Sequence, residues 1–117
     1  GEKQRILIAR GLMAQPELLI LDEPCTGLDI IAREKLLEII RKLSEDKNAP
    51  TLIYVTHHTE EILPTFSHTL LLKKGEVYSS GITNEILTEE NLSKFLEVPI
   101  IYEKSGRRIL LHLDYDA

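Results

Sequence analysis

The sequence predicts an α/β fold built on a parallel pair of core strands, with short helices and antiparallel hairpins after it. Three observations carry that prediction. Leu18-Leu19-Ile20-Leu21 is a continuous apolar run, which reads as a strand buried on both faces. Thr51-Leu52-Ile53-Tyr54-Val55-Thr56 is rich in β-branched and aromatic residues, the composition of a second buried strand. Between them, Leu36, Leu37, Ile40 and Leu43 fall on one face of a helix running from about Ile30 to Lys47. Strand, helix and strand make one βαβ unit, whose strands lie parallel with a right-handed crossover.

Taken in order, Glu2 to Ala14 reads as a helix with Ile6, Ile8, Ala9, Leu12 and Met13 as its apolar face. Lys3, Gln4, Arg5 and Arg10 supply its polar side, and Glu2 suits the positive end of the helix dipole. Gly11 weakens that helix by up to ~1 kcal/mol relative to alanine and marks close packing. Pro16 ends it. After the first strand, Pro24 to Asp29 contains Gly27 and reads as a loop. The second helix alternates Glu34 and Glu38 with Arg33, Lys35, Arg41 and Lys42, a solvated face. Asn48-Ala49-Pro50 breaks it before the second strand.

The remainder changes character. Thr69 to Lys73 and Glu76 to Ser79 flank Lys74-Gly75, a tight hairpin, with Gly81 expected to end its second strand. Asn84 to Val98 reads as one or two short helices with Leu87, Leu92, Phe95 and Leu96 as the apolar set, closed by Pro99. Ile100 to Tyr102 and Arg107 to Leu113 flank Lys104-Ser105-Gly106, a terminal hairpin. The expected division falls between residues 1–66 and 67–117.

Composition narrows the function. At 117 residues the chain is one domain at most. A net charge of −5 disfavours a nucleic-acid footprint, which needs a basic stripe, and adhesion to an anionic membrane. No apolar run approaches the roughly 20 residues of a membrane span. The single cysteine, Cys25, excludes an internal disulfide framework and fits a reducing, cytoplasmic setting. The start on Gly1-Glu2-Lys3 without methionine leads us to expect a longer parent protein, and no secretory leader is visible.

The chemistry concentrates where the strands end. Asp22 and Glu23 follow the first apolar run directly, at the sheet's carboxyl edge, where open α/β sheets bind ligands. They point to opposite faces if the pleat continues through them. One carboxylate would then hold a cation while the other addresses a water. Alone, the pair describes a solvated loop start equally well. His57-His58-Thr59-Glu60-Glu61 follows the second strand and brings polar residues to the same edge. His57 with Glu61, or His58 with Glu60, offers two metal ligands at most, short of a zinc pattern. His68 and His112 have no such context.

Together these motifs resemble the ATP-binding cassette (ABC) ATPases. Gly1-Glu2-Lys3-Gln4-Arg5 looks like the tail of the family's signature motif. Leu18 to Glu23 resembles the Walker B strand with its adjoining glutamate, Pro24-Cys25-Thr26-Gly27-Leu28-Asp29 the D-loop, and Thr56-His57 the switch histidine. Lys74-Gly75-Glu76-Val77, Gly81 and Glu85-Ile86-Leu87 are similar to the downstream pattern. Four motifs in order, in a strand–helix–strand context, make a specific match over Gly1 to about Leu96. Cys25 stands where threonine is more usual, and Gly27 where the translation-associated branch has histidine. The terminal hairpin is outside the resemblance.

The resemblance implies a partial P-loop NTPase-type domain, the C-terminal portion of a nucleotide-binding domain. No G-x-x-x-x-G-K-[ST] phosphate cradle occurs in the sequence, so the chain alone is expected neither to bind ATP tightly nor to hydrolyse it. In a complete domain the resemblance gives Asp22 to Mg²⁺, Glu23 to the attacking water, and His57 to the γ-phosphate and to fixing Glu23. It gives Asp29 to a second nucleotide-binding domain in a head-to-tail dimer, and the Gly1 backbone N–H to the γ-phosphate of the ATP bound there. The activity implied is Mg-ATP hydrolysis that energises membrane transport with a transmembrane permease subunit, from the inner face of the cell membrane. Competing expectations are a non-catalytic interaction or regulatory module, and a soluble ABC ATPase of DNA repair. Self-association is expected wherever apolar faces lack cover.

Overall fold

The computed structural model describes residues 2–116. The elements are α1 (Glu2–Met13), β1 (Leu18–Asp22), α2 (Ile30–Glu45), β2 (Thr51–Val55), a 3₁₀ turn (Thr59–Glu61), β3 (His68–Lys73), β4 (Glu76–Ile82), α3 (Thr83–Ile86), α4 (Glu89–Leu96), β5 (Ile100–Ser105) and β6 (Arg108–Leu113). They group into two compact units, one running to Glu61 and one starting at Ile62.

In the first unit β1 and β2 pair in parallel, with Leu18 opposite Thr51 and Asp22 opposite Val55. This is the βαβ unit expected from the apolar pattern. Its burial departs from expectation. The register puts Leu18, Ile20 and Asp22 on one face with Thr51, Ile53 and Val55, and all six are exposed. Leu19, Leu21, Leu52 and Tyr54 occupy the other, covered face. Each strand is therefore covered on one side, although its apolar composition suits cover on both.

Helix α1 lies against the covered face: a Cβ at Gly11 would stand 3.4 Å from Leu19 Cδ1. Close packing at this glycine is as expected, but the buried face is narrower than the apolar pattern implies. Ile8 is buried and Leu12 half-buried, whereas Ile6 and Met13 are exposed. One stripe of a helix meets one flat sheet, and residues beyond that stripe have nothing to touch. Helix α2 buries Leu36, Leu37 and Ile40, as its period requires. It stops at Glu45 rather than Lys47, because Asp46 is extended at ψ 134° and its N–H turns back to Leu43 O.

The second unit holds two antiparallel hairpins and two short helices around Ile86, Leu87, Leu92, Ile100 and Ile109. Lys74 and Gly75 both have positive φ, 53° and 77°, the geometry of a two-residue primed turn. Gly81 lies inside β4 rather than ending it, and a Cβ there would meet Ile86 Cδ1 at 3.4 Å. In the terminal hairpin the turn is the two residues Gly106-Arg107 rather than Lys104-Ser105-Gly106, since Lys104 and Ser105 are still paired, Ser105 with Arg108. Thr88 divides the helical segment by accepting from Asn91 N as the N-cap of α4.

Candidate functional site

Both strands of the parallel pair end at the same edge, and the polar residues that follow them meet there. Asp22 closes β1 on the open face of the sheet. The pleat stops at that point. Glu23 has φ +47°, a left-handed conformation uncommon for a side chain larger than glycine and costly enough to need support. Support comes from its own N–H, which donates to Val55 O at 2.8 Å. The expectation of two carboxylates on opposite faces of a continuing strand is thus corrected: the turn at Glu23, not the pleat, sets its direction.

That turn aims Glu23 at the end of β2. His57 Nε2 lies 2.7 Å from Glu23 Oε1, and since a carboxylate only accepts, the imidazole donates. The His57 ring is otherwise open to solvent. Asp22 is exposed, and its carboxylate has no hydrogen-bond or ion-pair partner among the described residues. Its oxygens are free to accept from a cation's water shell, the mode in which Mg²⁺ binds through one or two carboxylates. No group of three or more His, Cys, Asp or Glu among the described residues forms a metal cage.

The remaining candidates separate. Asp29 caps α2, its Oδ1 accepting from Ala32 N at 2.8 Å. The loop before it is tightened by Thr26 N to Glu23 O and Leu28 N to Cys25 O, with Gly27 at φ +80°. His58 Nδ1 approaches Glu60 Oε1 at 3.6 Å, and Arg33 Nη1 reaches the same oxygen at 3.5 Å. Glu61 does not accompany His57. It turns inward, where its Oε1 accepts from Tyr54 Oη at 2.5 Å and Thr56 Oγ1 at 3.1 Å. Gly1 lies outside the described residues. An open groove of about 550 Å³ between Arg5 of α1 and Ile30, Ile31 and Ile39 of α2 includes none of the candidates.

Sequence reasoning passed over the buried chain of groups under the site. Cys25 Sγ lies 3.3 Å from Tyr54 Oη, and the phenol O–H donates a hydrogen bond to Glu61 Oε1. Burial raises the Cys25 thiol above its ordinary value, and burial with the bonds to Cys25 and Glu61 raises the Tyr54 phenol. The available signal was Tyr54 on the covered side of β2, where a hydroxyl needs a partner.

A family model described as "ABC transporter" matches residues 1–26. An ABC transporter ATP-binding protein of Bacillus subtilis (strain 168), YlmA, is 64% identical over 100 residues, 86% of this chain and 38% of that protein. The chain belongs to the ABC transporter ATPase family. ModC of Escherichia coli (strain K12), a molybdenum import ATP-binding protein, is 37% identical over 110 residues, covering 86% of this chain and 31% of ModC. A chain from an inward-facing ABC transporter assigned to the metal-chelate type superposes with TM-score 0.82 at 28% identity. The match covers 97% of this ABC chain and 47% of that one. The ABC chain thus spans well under half the length of these curated relatives, and its α/β fold corresponds to part of a P-loop NTPase-type domain. No helix of the described residues is long and apolar enough to cross a membrane.

Proposed function

We propose that this chain supplies the water-activating half of an ABC ATPase site, which in the full-length protein hydrolyses Mg-ATP to energise membrane transport. The observation that carries the reading is the 2.7 Å contact between Glu23 and His57 at the carboxyl edge of the parallel pair. Phosphoryl transfer asks a protein mainly for positioning and charge stabilisation. Glu23 stands as the carboxylate that orients and deprotonates the attacking water. His57 holds Glu23 through one donor and, reoriented, presents that donor to the γ-phosphate. Asp22 is the residue that would hold Mg²⁺, which supplies charge neutralisation for the β- and γ-phosphates when bound. Asp29 is assigned a second role at a head-to-tail contact with another nucleotide-binding domain, and the Gly1 N–H a contact with that partner's γ-phosphate. A permease subunit at the inner face of the membrane would receive the work; ModC's name, like the metal-chelate assignment, supports transport as that work.

Glu23→Gln in the full-length protein tests the assignment. It is expected to keep ATP binding and lose turnover, because the amide fills the same space without accepting a proton. Undiminished hydrolysis would overturn the role of Glu23. The isolated 117-residue chain is the control. Without a glycine-rich phosphate turn it is expected to show no tight Mg-ATP binding, and submicromolar affinity would contradict that.

A further inference from the structure

Glu61 is the charged side chain that the fold buries among the described residues, at 3% exposure. Burying a carboxylate is costly unless its oxygens are well paired, and packed apolar residues often stabilise such positions at least as well. The partners it keeps suggest why it is there. Tyr54 and Thr56 both donate to Oε1, and Thr56 Oγ1 in turn accepts from His58 N at 3.0 Å. Thr56 and His58 are the two residues that flank His57. The Glu61 N–H closes the same turn onto His58 O at 3.1 Å. On the other side, Tyr54 Oη has its single proton committed to Glu61, so the Cys25 thiol donates to it at 3.3 Å. Cys25 lies two residues beyond Glu23. One carboxylate therefore ties the backbone on both sides of His57 to the loop that carries Glu23.

We propose that Glu61 is a positioning residue for the Glu23–His57 pair, clamping the Thr56–His58 backbone and the Cys25 loop in one hydrogen-bonded frame. The proposal rests on the hydrolytic reading of that pair and deepens it. Glu61 meets neither water nor nucleotide in this scheme; it acts through His57.

The test compares Glu61→Ala, Glu61→Gln, His57→Ala and the Glu61→Ala/His57→Ala double variant in the full-length protein. Glu61→Ala is expected to lower kcat for ATP hydrolysis on the order of 10- to 100-fold, the cost of a small misplacement, with KM for ATP nearly unchanged. Glu61→Gln retains an acceptor oxygen for both hydroxyls and should recover most of the rate. The double variant should be no slower than His57→Ala, since groups acting as a unit are not additive. A raised KM with intact kcat, or fully additive losses, would overturn the proposal. A second measurement is independent of turnover: the His57 imidazole signal in NMR, assigned by its loss in His57→Ala. It should shift in Glu61→Ala toward its position in Glu23→Ala and return in Glu61→Gln. An unmoved signal in folded Glu61→Ala overturns the positioning role. Should Glu61→Ala fail to fold, Thr56→Val carries the same expectations, because it releases His58 N while leaving Glu61 bonded to Tyr54. Absence of ATP turnover in the unaltered protein would sink the hydrolytic reading, and the imidazole signal would still decide the role of Glu61.

Discussion

At the scale of single residues, the thiol–phenol–carboxylate chain makes stability fall as pH turns alkaline. Burial is the main reason that Cys25 and Tyr54 hold their protons above their ordinary values of 9.0 and 10.0. Once the pH passes 9.0 the unfolded chain releases the Cys25 proton before the folded one does, so unfolding becomes more favourable as pH rises. The contribution is fully present below the ordinary cysteine value and is lost on the alkaline side. Urea midpoints should fall from below to above that value, and fall less in a Cys25→Ser/Tyr54→Phe variant. Equal slopes in the two proteins would refute the linkage. These residues also show where sequence reading stops. Asp22, Glu23 and His57 announce themselves by following apolar runs. Glu61 does not, since an i,i+4 helical spacing would set it beside His57. Only the 3₁₀ turn at Thr59–Glu61 rotates it under Tyr54, and hydrogen-bond geometry of that kind has no period to read.

At the scale of elements, the loop between β1 and α2 ends on Asp29, and the helix begins because Asp29 captures Ala32 N. Removing such a cap typically costs ~1 kcal/mol, within a range of about 0.5–2. Asp29→Ala should therefore lower the unfolding free energy of the chain by about that amount in urea titration, and Asp29→Asn should restore most of it. An alanine variant as stable as the parent would remove the cap from the account of this loop. The pair also separates two roles, because asparagine keeps the cap while removing the charge available to a partner. The strands and α2 were legible for a simple reason: apolar runs and a 3.6-residue period follow directly from which faces are covered. Turn placement was legible only in part. Lys74-Gly75 fits a primed turn with glycine second, whereas Gly106-Arg107 puts Arg107 at φ +70°, a conformation that arginine does not advertise. The register shift between Leu71 and Leu72 left no trace in composition.

At the scale of the whole molecule, the open face of the parallel pair carries a prediction for behaviour in solution. Leu18, Ile20, Ile53 and Val55 share it, with Ile20 57% and Ile53 45% exposed and directly opposite one another. Apolar area returns roughly 25 cal/mol per Å² when it leaves water, so two such faces gain by meeting. The two-stranded sheet also offers unpaired backbone along its outer edges. The composition of the strands, which suits cover on both sides, and the cover actually present, on one side, thus point to the same outcome. The 117-residue chain in isolation should sediment with a mass that rises with concentration. Ile20→Thr with Ile53→Thr, which keeps β-branched side chains in the strands while making the face polar, should shift the distribution toward monomer. The substitutions leave Leu19, Leu21 and Tyr54 on the covered face in place, so a folded monomer is the expected product. A strictly monomeric profile of the unaltered chain at high concentration, with native helix content, would show that the open face is tolerated in water without a partner.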